Sequence, residues 1–192
     1  MVRRARRLAA ATILGGLACL PARAAEIDLA RWAAGLPPRF SVAGVKTEPT
    51  YQERVEITRD GDLFTLVGGA PAWAERSQES IVVARDGALR HAACPAGMDC
   101  AAAPTPTGFL ASALLVSALR RKLPLGAAPT AAFGARRIVC IPAQRIGVVR
   151  PILDPCFDVA TGAAIAQRHR LSGRFDGPSL EPTSLRVAFD PK

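Results

Sequence analysis

Asparagine is absent from the whole chain. That removes every N-glycosylation acceptor, because the signal is Asn-x-Ser/Thr, and it leaves Asp, Gly and Pro to build the turns. Lysine is nearly as scarce, with only Lys46, Lys122 and Lys192 among 25 basic residues. With Ala and Pro abundant, this reads as the coding bias of a GC-rich bacterial genome. There are two histidines, His91 and His169, and neither has a Ser or Cys companion in a recognised setting. The chain has no G-x-S-x-G elbow, phosphate-cradling glycine loop, zinc spacing or C-x-x-C. Asp154 and Asp158 are the one candidate carboxylate pair for acid–base work. They flank Pro155 and lie beside a turn, where structural roles are the simpler expectation. Nothing in the chain asks for a catalyst, and no cofactor is expected.

What is present begins with an N-terminal pattern. Arg3, Arg4, Arg6 and Arg7 precede an uncharged run from Leu8 to Leu20, and Pro21 then leads into Ala22-Arg23-Ala24. Basic, apolar and small residues in that order predict a removable secretory signal over 1–24. The apolar run is shorter than the ~20 residues a membrane-spanning helix needs. Gly16 stands where lipidation motifs place Leu, so anchoring through Cys19 is not expected. Cleavage after Ala24 leaves 168 of the 192 residues, enough for one domain over 25–192. It removes five basic residues and no acid, so the formal charge falls from +9 to +4. Nucleic acid is therefore not an expected partner, since no basic stripe interleaved with aromatics remains. The expected location is a bacterial periplasm.

Four cysteines remain after Cys19 is removed: Cys94, Cys100, Cys140 and Cys156. An even count in an exported chain predicts two disulfides, and four cysteines allow three pairings. The spacing favours Cys94 with Cys100 across a tight turn, and Cys140 with Cys156 between neighbouring strands. A soft-metal site from His91, Cys94, Met98 and Cys100 would suit copper. An oxidising compartment favours the disulfides instead, so no metal is expected.

Asp28 to Ala34 predicts a short helix, stopped by Gly35 and Pro37-Pro38. From Tyr51 the period becomes two. Tyr51, Val55 and Ile57 share one side, opposite Gln52, Arg54, Glu56 and Thr58. Asp60-Gly61 then predicts a hairpin into Leu63 to Val67. A second hairpin is expected from Ser80 to Ala84 through Asp86-Gly87 to Ala88–Ala92. Further strands are expected at Arg137–Ile141, Ile146–Arg150 and Leu185–Phe189, with another strand pair hinged at Thr161-Gly162 and one more turn at Asp176-Gly177. Cys94 to Pro106 reads as a loop. Gly108 to Lys122 predicts one helix with Thr107 as N-cap, ended by Pro124 and Gly126. That helix is apolar on nearly every face, softened only by Ser112 and Ser117, as in helices buried all round or lining a greasy cavity. The strands also carry apolar residues on both faces, which predicts cover on both sides or a pocket on one.

Between residues 136 and 175, the order of strands and the Asp158-x-x-Thr161-Gly162 turn resemble the later hairpins of periplasmic half-barrel proteins. These are the LolA-type lipoprotein carriers, RseB-like regulators and LppX-like lipid binders. The resemblance implies a curved antiparallel sheet wrapped over helices around an apolar cavity for acyl chains or a lipoprotein. The expected fold is therefore α+β and β-rich: a single curved antiparallel sheet, a half-barrel, packed over one or two helices with two disulfides. Trp32, Phe64, Leu66, Ile81, Val83, Leu110 and Leu114 are the expected cavity lining. The expected function is non-catalytic binding of a hydrophobic ligand or lipid-modified partner. The alternative is an assembly or accessory factor acting through protein contacts in the periplasm.

Overall fold

The structure, a computed structural model, describes residues 25–47, 52–69, 76–93, 108–148, 153–175 and 179–188. The expected signal over 1–24 with Cys19, the Cys94–Cys100 turn and the Asp176-Gly177 turn lie outside those residues. Among the described residues the chain forms β1 (Glu26–Asp28), α1 (Leu29–Ala34), β2 (Arg39–Thr47), β3 (Gln52–Asp60) and β4 (Leu63–Gly69). It continues with β5 (Arg76–Val83), β6 (Leu89–Ala93), α2 (Ala111–Arg120), β7 (Ala127–Phe133) and β8 (Arg136–Cys140). The last strands are β9 (Leu153–Asp158), β10 (Ala164–His169) and β11 (Ser179–Ala188). No helix among the described residues is long and apolar enough to cross a membrane.

Local chemistry accounts for most of these boundaries. Asp28 caps α1, its Oδ1 accepting from the Arg31 N–H at 3.0 Å. The β3–β4 hairpin turns through Gly61, whose φ of +61° suits a residue without Cβ. Along β3 the expected alternation holds: Val55 and Ile57 are buried while Gln52, Arg54 and Glu56 are exposed. In the β5–β6 turn, Asp86 Oδ1 accepts from the Ala88 N–H at 2.9 Å.

All pairings are antiparallel, but the strands make two sheets instead of the single curved sheet expected. One has five strands in the order β1-β7-β8-β9-β10, and the other six in the order β11-β2-β3-β4-β5-β6. The break falls between β10 and β11. After His169 the backbone bonds to itself, His169 N–H to Arg174 C=O at 2.7 Å and Gly173 N–H to His169 C=O at 2.9 Å. Next in the chain, β11 pairs with β2 from Ser179 to Ala188. The two strands lie beside each other without a shared ladder, and the whole is not a closed barrel.

Three further expectations change. Ile146 ends a 3-10 turn (Ala143–Ile146), and the true partner of β8 is β9. A left-handed Gly147 (φ +89°) closes that turn, which is incompatible with a strand starting there. The long helix begins as a 3-10 turn (Gly108–Leu110) and becomes α2 only from Ala111, with Leu110 at the α2 N-cap; Thr107, the expected cap of the whole stretch, lies outside the described residues. Strands β1, β2 and β7 were not anticipated. β7 reads AAPTAAF, low in strand-favouring residues, and its pairing with β1 and β8 holds it extended.

The five-stranded sheet is buried on both faces. On one, Ala128, Val139, Phe157 and Ala164 join Leu29 and Ala33 of α1 and Ala111, Leu114, Leu115 and Ala118 of α2. On the other, Ile138, Cys140, Cys156 and Ile165 join Phe40, Val42, Val55 and Ile57 of the six-stranded sheet. The remaining inner face of the six-stranded sheet, Phe64, Ile81 and Val83, packs on Leu110, Ala113 and Val116. Helix α2 therefore sits in the wedge between the sheets, and every residue from Ala111 to Ala118 is buried.

Candidate functional site

The apolar region around α2 is where the expected lining residues gather. Spacing of three places Leu110, Ala113 and Val116 on one side of the α2 region, facing Phe64 of β4 and Ile81 and Val83 of β5. Leu66 and Leu89 are partly buried against the same group. Five of the seven expected residues thus meet: Phe64, Leu66, Ile81, Val83 and Leu110. Trp32 and Leu114 do not join them. They belong to the cluster on the other side of α2, where Trp32 Nε1 donates to the Val159 carbonyl at 2.8 Å and its ring lies 6.3 Å from Phe157. Trp32 is carried by α1, and Leu114 follows Ala113 by one residue, about 100° further round the helix, so both meet the cluster formed by α1 and the five-stranded sheet. Phe64, Ile81, Val83 and Leu110 are each at most 1 % exposed, so they press on one another and on the helix. Ala113, Val116 and Phe109, missed by the sequence reading, complete the apolar surroundings of α2. Alternation and helical spacing held the signal that would have found Ala113 and Val116.

Polar groups fix the helix at both ends. Ser112 Oγ donates to the Gly162 carbonyl at 2.8 Å and accepts from the Ala164 N–H at 2.9 Å. Ser117 Oγ donates to the Gly87 carbonyl at 2.6 Å. A Cβ on Gly87 would meet the Ser117 carbonyl oxygen at 2.9 Å, so the β5–β6 turn lies directly on the helix backbone. Arg120 donates to the carbonyls of Val83 and Ala84 and pairs with Asp62 in the β3–β4 turn.

Arg59 stands close by, on the inner side of β3. It donates to the carbonyls of Pro37 and Gly61, each at 3.0 Å, and its guanidinium lies 5.4 Å from the centre of the Phe64 ring. Burial lowers its pKa from the ordinary arginine value, Asp62 opposes that shift, and Arg120 adds to it. The wedge is thus apolar inside and bounded at the α2 C-terminus by two arginines and an aspartate.

The Asp158-x-x-Thr161-Gly162 turn is a structural device that seats α2. Asp158 Oδ1 accepts from the N–H groups of Ala160 and Thr161 and from Thr161 Oγ1, all at 3.0 Å. Arg136 reaches Oδ2 at 3.3 Å. Asp154 Oδ1 takes the Ala143 N–H at 3.0 Å and Arg170 at 2.8 Å. Each carboxylate is 3 % exposed and spent on neighbouring backbone and arginine groups. An open groove lined by Arg136, Arg137, Asp158 and Ala160 runs beside the turn.

Cys140 and Cys156 form a disulfide between directly opposed residues of β8 and β9. Cys94, Cys100 and Met98 lie outside the described residues, so only His91 of the copper set is placed. It sits on β6 opposite Ile81, its Nδ1 buried with no hydrogen-bond partner. No group of three or more His, Cys, Asp or Glu that could hold a metal ion occurs among the described residues. His169 ends β10, its Nδ1 accepting from the Ser172 N–H at 3.3 Å. No model of a known protein family matches the chain, and no curated protein matches it either.

Proposed function

We propose that the chain is exported to the periplasm and there binds, without catalysis, a hydrophobic ligand or lipid-modified partner in the wedge between α2 and β4–β6. One observation carries this reading: α2 is buried from Ala111 to Ala118 between two sheets whose facing sides are apolar. A helix with no polar face is matched to an acyl chain as well as to a sheet. The half-barrel resemblance between residues 136 and 175 supports the same reading. Because the facing side chains are in contact, the ligand enters as α2 moves off β4 and β5. Native mass spectrometry of protein purified from an exporting host tests it. Acyl-chain species bound in defined stoichiometry are expected, and ligand-free protein alone would overturn it.

A second reading rests on that closed packing: an assembly or accessory factor that acts through its exterior. Loss of a partner's activity on deletion, with no lipid bound, favours it. The copper reading rests on the unpartnered Nδ1 of His91. Zero free thiols in protein from an oxidising compartment would end it.

A further inference from the structure

We propose that the turn following β10 is a contact point for an anionic membrane surface, with Leu171 entering the headgroup region. This goes beyond the ligand reading and does not depend on it. Leu171 is 90 % exposed and Phe175 42 %. An isolated exposed Leu is ordinary, but this one is held out by a built turn. The backbone closes between His169 and Arg174, Ser172 N–H bonds to His169 Nδ1, and Gly173 adopts a φ of +70°. Arg174 N–H bonds to Ser172 Oγ at 3.3 Å. Leu171 is therefore presented at the tip without ordering a flexible loop.

Between Asp158 and Asp176 the only formally charged residues are arginines. From Val159 to Phe175 the chain has no acid, while Arg168, Arg170 and Arg174 flank the two apolar side chains. Arg170 leans back onto Asp154. Arg168 and Arg174 have no carboxylate partner among the described residues. Guanidinium groups pair with phosphate oxygens, and leucine and phenylalanine favour the boundary between headgroups and acyl chains. Basic residues beside a membrane add attraction only when its lipids are anionic. A protein partner would need a preformed pocket for a protruding leucine, whereas a bilayer deforms around it. The Phe175 ring also packs at a tilt of 58° against Phe133, 5.5 Å between centres, which ties the segment after the tip to the β7–β8 hairpin.

Vesicle co-sedimentation tests the proposal, using phosphatidylcholine vesicles with and without phosphatidylglycerol. The protein is expected to pellet several-fold more with the anionic vesicles and to be released by added salt. Leu171→Ser, and separately Arg168→Gln with Arg174→Gln, should each lower the bound fraction several-fold with an unchanged melting curve. With Leu171→Trp, the additional tryptophan emission should shift to the blue on adding anionic vesicles. Wild-type protein that ignores both vesicle types, or variants that bind as wild type does, would overturn the proposal. A protein that carries an acyl ligand in native mass spectrometry yet leaves vesicles alone overturns this inference and leaves the ligand reading standing.

Discussion

Ser112 and Ser117 lie on the same helix, and each holds it to a different sheet: Ser112 to the Gly162 turn and Ser117 to the Gly87 turn. In the sequence they are the only interruptions of an apolar run. In the fold they are buried at 3 % and 4 % exposure, and their hydroxyls supply what the turn backbones cannot find within their own ladders. Ser112→Ala leaves a carbonyl and an N–H unpaired and is expected to cost about 2–4 kcal/mol, against about 1–2 for Ser117→Ala. The two sites are about 7.5 Å apart along the helix axis, so the double variant should be additive to within about 0.5 kcal/mol. Urea denaturation of the three variants measures this.

Those same contacts set how readily α2 leaves the sheet. Replacing Ser117 and Arg120 together by Ala removes its links to the Gly87 carbonyl and to Asp62. If the wedge takes an acyl chain, this variant should take up the fluorescent fatty acid cis-parinaric acid faster than wild type while keeping its near-ultraviolet circular dichroism. Equal uptake rates would show that α2 is not the gate.

Gly162 has no room for a side chain. Its φ is +74°, and a Cβ there would lie 2.4 Å from Leu36 Cδ1. Gly162→Ala combines left-handed strain with overpacking and should cost about 2–4 kcal/mol. Adding Leu36→Ala relieves the clash but not the strain. The coupling should therefore be favourable in a double-mutant cycle, even though Leu36→Ala alone destabilises.

Asp158 works chiefly as an acceptor for the turn. Asp158→Asn keeps an oxygen for the Ala160 and Thr161 donors but turns an NH2 donor toward Arg136, losing both the charge and the acceptor on that side. A loss of about 1.5–2 kcal/mol is expected. Asp158→Ala orphans the buried donors and should cost at least about 3 kcal/mol. Thermal melts that rank the two variants equally would contradict this assignment.

The Cys140–Cys156 bond closes a loop over a sequence separation of 16. Replacing both with Ala should cost about 3 kcal/mol through the entropy of the unfolded chain. For a chain of this size, that lowers the melting temperature by about 6–12 °C. Calorimetry of the double variant under non-reducing conditions checks it.

Period and turn chemistry by themselves determined much of this molecule. The alternation around Val55 and Ile57, the glycine turns at Gly61 and Gly87, and the apolar run of α2 are local properties of the backbone and of side-chain spacing. The Cys140–Cys156 pairing was legible from its spacing, although the strand that brings Cys156 opposite Cys140 is β9 and not the one expected at Ile146–Arg150. Only the tertiary structure decided that there are two sheets, because whether β10 shares a ladder with β11 depends on where the chain turns after His169. Tertiary pairing also made strands of the alanine-rich β7 and of β2, with its glycine opposite Val55. It separated Trp32, which α1 carries, and Leu114 from the other five expected lining residues, because α1 and that side of α2 pack on the five-stranded sheet. The same holds for Ser112 and Ser117: composition marked them as polar exceptions, and the positions of two distant turns gave each a separate sheet to hold.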